Sequence, residues 1–215
     1  DSCDFESGLS QSRSAVPGLW GTLRSLSSGG VCLEWLRNNV CRSEDGTVID
    51  YSTINEAVSE LGAASDGLFF YPFSGIYGDN CGFNKGAFVG MDLSHNRFHL
   101  ARAVMEGVVF QILWMMEKFK TKPSSSGITL AGGASKSAVW SQILADVLGM
   151  PVKIPEVADL ACVGAAVMAG VGAGIYKDFR DGCDRFRVGE SVITPNPEMT
   201  EIYKPLFEKY APKSL

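Results

Sequence analysis

The chain has little of what common metal, redox and scaffold chemistries need. Histidine occurs twice in 215 residues, so a His-centred catalytic triad has almost nothing to draw on. Six cysteines are scattered at Cys3, Cys32, Cys41, Cys81, Cys162 and Cys183, and no two stand as C-x-x-C. That excludes a zinc ribbon or a thioredoxin-type dithiol, and six in this length are too dilute for a disulfide scaffold. They read as reduced thiols, several of them core residues, in a cytosolic protein. Positive charge is not in excess: 19 Lys and Arg face 24 Asp and Glu, a net charge of −5. The basic footprint of a nucleic-acid binder is therefore missing. So are the polybasic runs and low-complexity blocks of membrane-surface segments and tails. No apolar run reaches the roughly 20 residues of a membrane span. The longest uncharged apolar stretch, 160–176, has 17 residues rich in Gly and Ala and reads as a tightly packed buried helix. The first 28 residues are polar and rich in serine, with no initiator Met and no signal-peptide pattern. They read as a start inside a longer protein.

What is present fits an ordinary folded domain. Hydrophobic residues make up 46% and charged residues 20%, enough for one large domain or two small ones. A helix is expected after Gly29-Gly30, with Val31, Leu33, Trp35 and Leu36 apolar. A second begins at a capping box, Thr53 with Glu56. It carries Ile54, Ala57, Val58 and Leu61, and Gly62 is placed to end it. Leu68, Phe69, Phe70 and Tyr71 read as a buried strand stopped by Pro72, followed by a glycine-rich loop over 74–86. The longest helix is predicted over 94–118, apolar on much of its circumference. Residues 128–131 form a strand and Gly132-Gly133-Ala134-Ser135 a loop. The next helix holds Val139, Trp140, Ile143, Leu144, Val147 and Leu148, ends at Gly149, and leads into the strand Val152-Lys153-Ile154. Such a βαβ unit predicts two parallel strands with a right-handed crossover. A small-residue helix follows over 159–173. The last helix has Met199, Ile202, Tyr203, Leu206, Phe207 and Tyr210 on one face, with Pro205 kinking it or lying on its outer side. The alternation argues for an α/β domain with one mostly parallel or mixed sheet.

Candidate chemistry concentrates at Gly132-Gly133-Ala134-Ser135-Lys136-Ser137. Two glycines at a strand's carboxyl end let a ligand approach the backbone, and the helix start beyond them suits an anion. The pattern is neither G-x-x-x-x-G-K nor G-x-G-x-x-G, and by itself such a pair is more often a plain tight turn. His95 and His99 share a helical face but lack a third ligand. They read as hydrogen-bonded imidazoles at a helix start capped by Ser94. Arg102 and Glu106 read as a helix-face ion pair. Residues 75–79 fit either a substrate-facing loop or a surface turn.

Three motifs together resemble the FGGY family of carbohydrate kinases, in particular their C-terminal domain. The first is Gly86-Ala87-Phe88-Val89-Gly90-Met91, then seven residues, then His99-Leu100-Ala101-Arg102-Ala103-Val104-Met105-Glu106-Gly107. The second is Gly132 to Ser137 as quoted, followed by Trp140, Gln142, Ala145-Asp146 and Gly149-Met150-Pro151-Val152. The third is Gly164-Ala165-Ala166 with Ala169, Gly172 and Gly174. The resemblance implies an actin-like, ribonuclease-H-like ATPase domain with a mixed sheet flanked by helices, residues 1–215 being a single C-terminal domain. It implies ATP and Mg2+ in a cleft shared with an N-terminal half that binds most of the sugar and supplies the general-base Asp. No catalytic residue and no protein metal ligand is therefore expected in this chain.

Carried over by position, Gly133 is similar to the glycine whose backbone meets the nucleotide, with Gly132 and Ala134 beside it. Ser137 falls where glycerol kinases carry an Asn near the adenine. Gly30 resembles the glycine beside the phosphates. Glu34 falls where glycerol kinases have a Gln, and a carboxylate near phosphates would be repelled, which sets it apart from a direct phosphate ligand. A xylulose-like acceptor is favoured; gluconate, ribulose, fuculose and glycerol are alternatives. The rival class is a non-catalytic actin-like nucleotide-binding or sensor module. The implied partner is a small-molecule sugar, with no nucleic acid and no membrane, in a cytoplasmic protein compatible with a homodimer.

Overall fold

The long apolar run after His95 organises the molecule, a computed structural model describing residues 10–26, 28–72, 85–117, 127–157, 159–186 and 189–210. Two short strands, β1 (Ser10–Arg13) and β2 (Trp20–Leu23), pair antiparallel. Helices α1 (Gly30–Asn39) and α2 (Tyr51–Ser59) follow, then β3 (Phe69–Tyr71) and β4 (Ala87–Val89), also antiparallel. Next come α3 (Arg97–Met116), β5 (Ile128–Thr129), α4 (Ala138–Leu148) and β6 (Val152–Pro155). The described chain ends with α5 (Leu160–Gly172), α6 (Phe179–Phe186), β7 (Glu190–Ile193) and α7 (Pro197–Tyr210). Loop 75–79, most of the expected loop 74–86, Cys3 and Cys81 lie outside the described residues.

The expected βαβ unit is present. β5 pairs parallel with β6, Ile128 opposite Val152, and α4 makes the crossover. β7 adds antiparallel to β6, giving a three-stranded mixed sheet. The single sheet expected from the strand pattern is instead divided: among the described residues β1–β2 and β3–β4 stand as separate pairs. The first strand of the unit is also shorter than read, two residues in place of four; Leu130 N still donates to the Lys153 carbonyl at 2.9 Å before the chain enters the glycine turn.

Helix α3 is buried along an unbroken stretch, Ala101 to Gln111. By length and composition it could cross a membrane, yet β3, α1, α2 and α4 pack around it. Gly107 makes this possible, since a Cβ there would overlap the Phe70 carbonyl of β3. The helix starts at Asn96, not Ser94. The Asn96 side chain accepts from the amides of Phe98 and His99, and His99 Nδ1 accepts from Asn96 N at 3.2 Å. Ser94 instead donates to Asp92. Likewise α2 is capped three residues earlier than the Thr53 box implies, by Asp50, which accepts from Thr53 N at 2.8 Å. A short carboxylate next to a free helix start outcompetes a residue already inside the first turn.

Arg102 and Glu106 form the expected i, i+4 ion pair, and it lies in the core. Both are buried. Glu106 Oε1 accepts from Arg102 Nε at 2.9 Å, from Tyr203 Oη at 2.8 Å and from Ala64 N at 3.0 Å. Arg102 also donates to the Val58 carbonyl and to Tyr203 Oη. The network joins α2, α3, α7 and the turn at Ala64, whose φ of +60° is held by that bond. Burial pushes the Glu106 carboxyl above its ordinary range against the pull of Arg102, and burial with the adjacent Glu106 pushes the Tyr203 phenol up too.

Helix α7 closes the core with Tyr203 and Tyr210, while Pro205 faces outward. Ile202, expected on the inner face, is exposed, as are Val31 and Trp35 of α1. The largest departure is α5. It is apolar throughout, yet only Val167 and Gly170 are buried. Its close packing is confined to α6, where Gly170 and Gly182 leave room for the Tyr176 ring. Small residues allow close approach on one side; elsewhere on the helix Gly164 and Gly172 have nothing within 4 Å of where a Cβ would stand.

Candidate functional site

Two helix starts converge on one cavity of 660 Å³, a size common for nucleotide and cofactor pockets. Gly30 opens α1 at its wall. Gly29 caps that helix with no side-chain acceptor, and the first turn carries no acid. Its orphan N–H groups and partial positive charge are therefore available to an anion. Opposite, the turn after β5 runs through a tight helical turn, Gly133–Lys136, before Ser137 caps α4. Gly132 begins that turn with φ +86°, a conformation that disfavours any side chain. Gly30 and Gly133 each have nothing within 4 Å of where a Cβ would stand, so their backbones lie open.

Of the sequence candidates, Gly30, Glu34, Gly133, Ala134 and Ser137 line this cavity together. Gly132 shapes the turn without reaching the wall. Glu34 lies one turn along α1 from Gly30. Ser137 is buried; its Oγ accepts from Trp140 N at 3.2 Å and donates to Asn55 Oδ1 at 2.9 Å. Lys136 of the glycine-turn motif, with Tyr51 and Asn55, completes the polar wall; neither Tyr51 nor Asn55 was singled out from sequence as a site residue. The available signal was their spacing: Tyr51 and Asn55 are four apart and share the i, i+3, i+4, i+7 face of α2 with buried Ile54 and Val58. The Arg37 guanidinium covers the Tyr51 ring at 4.7 Å. A second, apolar cavity of 370 Å³ adjoins, sharing Gly30, Ala134 and Trp140 and reaching Arg24, Ile112 and Met115.

The two histidines do not make a metal centre. His95 lies ahead of α3, with Nε2 2.9 Å from the Ser65 carbonyl and Nδ1 accepting from Asp92 N. His99 serves the Asn96 cap. Both imidazoles are thus hydrogen-bonded, as the sequence reading expects. No group of three His, Cys, Asp or Glu able to hold a metal gathers among the described residues.

Helices on a mixed sheet, with a βαβ step opening onto a glycine-lined cavity, make this a domain of the actin-like ATPase class. Residues 5–173 match the C-terminal domain of the FGGY family of carbohydrate kinases, and the chain belongs to that family. It is 34% identical over 164 residues to the L-xylulose/3-keto-L-gulonate kinase of Escherichia coli K12, covering 75% of this chain and 32% of that protein. It is 30% identical over 199 residues to the autoinducer-2 kinase of Klebsiella pneumoniae, covering 84% and 36%. The xylulose kinase of Rhodospirillum rubrum superposes with a TM-score of 0.75 at 27% identity, over 94% of this chain and 41% of that one. The chain thus spans about a third of the length of the curated relatives it matches.

Proposed function

We propose that residues 1–215 form the single C-terminal, ATP-binding domain of a sugar kinase that transfers the γ-phosphoryl group to a sugar hydroxyl. The observation that carries this is the meeting of Gly30 and Gly133 on one cavity wall, in a chain of a carbohydrate-kinase family. The residues present fit a nucleotide. The acid-free start of α1 receives phosphate through its amides. Gly133 and Ala134 let the nucleotide lie on the backbone. Lys136 adds positive charge at the rim. Glu34 would repel phosphate and accepts instead from ribose hydroxyls, the pairing that acidic side chains make in other nucleotide sites. Mg2+ would be held by triphosphate oxygens and waters and would ask no ligand of this chain.

Transfer of this kind relies on positioning and charge stabilisation more than on covalent help from the protein. This chain's part is to fix the donor. The base that deprotonates the acceptor hydroxyl, and most of the sugar contacts, are assigned to the part of the relatives' length that the chain does not span. A xylulose-like acceptor is favoured by the sequence relatives. The four described cysteines are free thiols, in keeping with a cytoplasmic setting.

The test is equilibrium binding of ADP and Mg-ATP to the purified chain and to Gly133→Val. Because a Cβ at Gly133 meets nothing, the variant should fold normally while its side chain blocks the nucleotide. A loss of affinity of about tenfold or more is expected. Equal affinity in a folded Gly133→Val variant would refute the site.

A further inference from the structure

The hydrogen bonds of Ser137 decide which side chain reads the base. Its hydroxyl oxygen caps α4 by accepting from Trp140 N, and its only proton goes to Asn55 Oδ1. Ser137 therefore has no proton left for a ligand. Asn55 is in the opposite position. It lies half-buried in the cavity wall. Among the described residues its Oδ1 receives that one bond and its Nδ2 donates to nothing. Ser137 tethers the amide at Oδ1, and Asn55 offers a second lone pair and two unclaimed protons beside that anchor.

A rigid donor beside an acceptor matches a base edge that itself carries a donor beside an acceptor. Adenine does so on two edges, its 6-amino group flanked by N1 and by N7, and an asparagine amide pairs bidentately with such an edge. We infer that Asn55, with Ser137 as the residue that positions it, is the base-reading side chain of the nucleotide site: Oδ1 accepts from the 6-amino group and Nδ2 donates to the adjacent ring nitrogen. This rests on the nucleotide reading above and adds the residue that selects the base. Tyr51, four residues earlier on the same face and covered by Arg37, supplies an aromatic wall beside it.

The test is a cycle between protein and ligand. ADP and purine riboside 5′-diphosphate, which lacks the 6-amino group, are titrated into the wild-type chain, Asn55→Leu and Asn55→Asp, with folding followed by circular dichroism. Removing the amino group should weaken binding to the wild type by about tenfold. In Asn55→Leu the two ligands should bind equally, both weakly. Asn55→Asp keeps the acceptor for the Ser137 proton, and so the α4 cap, while losing the donors. It should bind ADP roughly tenfold or more weakly than the wild type yet still distinguish the two ligands. If the wild type binds ADP and Asn55→Leu discriminates the ligands as well as the wild type does, the assignment to Asn55 is overturned while the nucleotide site stands. If the wild type binds neither ligand, the nucleotide reading falls and this inference with it.

Discussion

Helices α3 and α5 are both apolar, and the more apolar of the two, α5, is the more exposed. α3 carries two arginines and a glutamate, two of these three charges inside a stretch of eleven consecutive buried residues, from Ala101 to Gln111. α5 carries no charge and buries two. Composition therefore does not set burial; neighbours do. α3 has a strand and several helices to lie against, and its two buried charges, Arg102 and Glu106, bond to each other and to Tyr203. α5 has a snug partner only in α6 and the Tyr176 ring. The contrast also separates two uses of glycine. Gly107 is indispensable because the Phe70 carbonyl occupies its missing side chain's place, whereas Gly164 of α5 faces open space.

Three substitutions would break or sharpen this contrast. Gly107→Ala should have the largest effect. Its methyl must displace a strand backbone that cannot yield, and a loss of about 3 kcal/mol is expected in chemical denaturation. A stable Gly107→Ala protein would mean that β3 does not lie on α3 as described. Tyr203→Phe should come next. It removes one donor from Glu106 and one acceptor from Arg102, both buried, for roughly 1–3 kcal/mol. A midpoint equal to the wild type's would show that the network contributes nothing at α3. Gly164→Ala should be the smallest and of opposite sign. Alanine in an exposed helix interior should raise stability by about 0.5–1 kcal/mol. Destabilisation there would reveal a neighbour on α5 that the described residues do not provide.

Local signals carried much of the fold. The βαβ unit was legible because both strands, the glycine turn and the helix stop fall within thirty residues, and Gly149 does take the left-handed φ of +62°. The caps were harder. Asp50 and Asn96 were passed over for Thr53 and Ser94, because several short polar residues near a helix start are equivalent until the backbone chooses one. Arg102 and Glu106 were legible as an i, i+4 ion pair, but their burial was not, since Tyr203, which closes over them, is 97 positions beyond Glu106. The site divides the same way. Gly132 and Gly133 were legible as a turn at a strand's end, and only the motif resemblance made that turn a nucleotide contact and joined Gly30 to it across a hundred residues. Tyr51 and Asn55 were missed because polar groups in a helix's first turns read as solvent-facing. Only the packing of α2 beside α4 brings Asn55 to Ser137.

The reach from Glu106 to Tyr203 also bears on how the chain is made. At about 5–20 residues per second, synthesis takes roughly 5–20 s to pass from α3 to α7. During that interval the most apolar surface of α3 and a paired arginine and glutamate emerge from the ribosome without the tyrosines that close over them. Contacts this distant in sequence are slow to form. The nascent domain therefore presents an open hydrophobic groove until α7 arrives, and that interval, ahead of any property of the finished protein, is when a chaperone has something to hold.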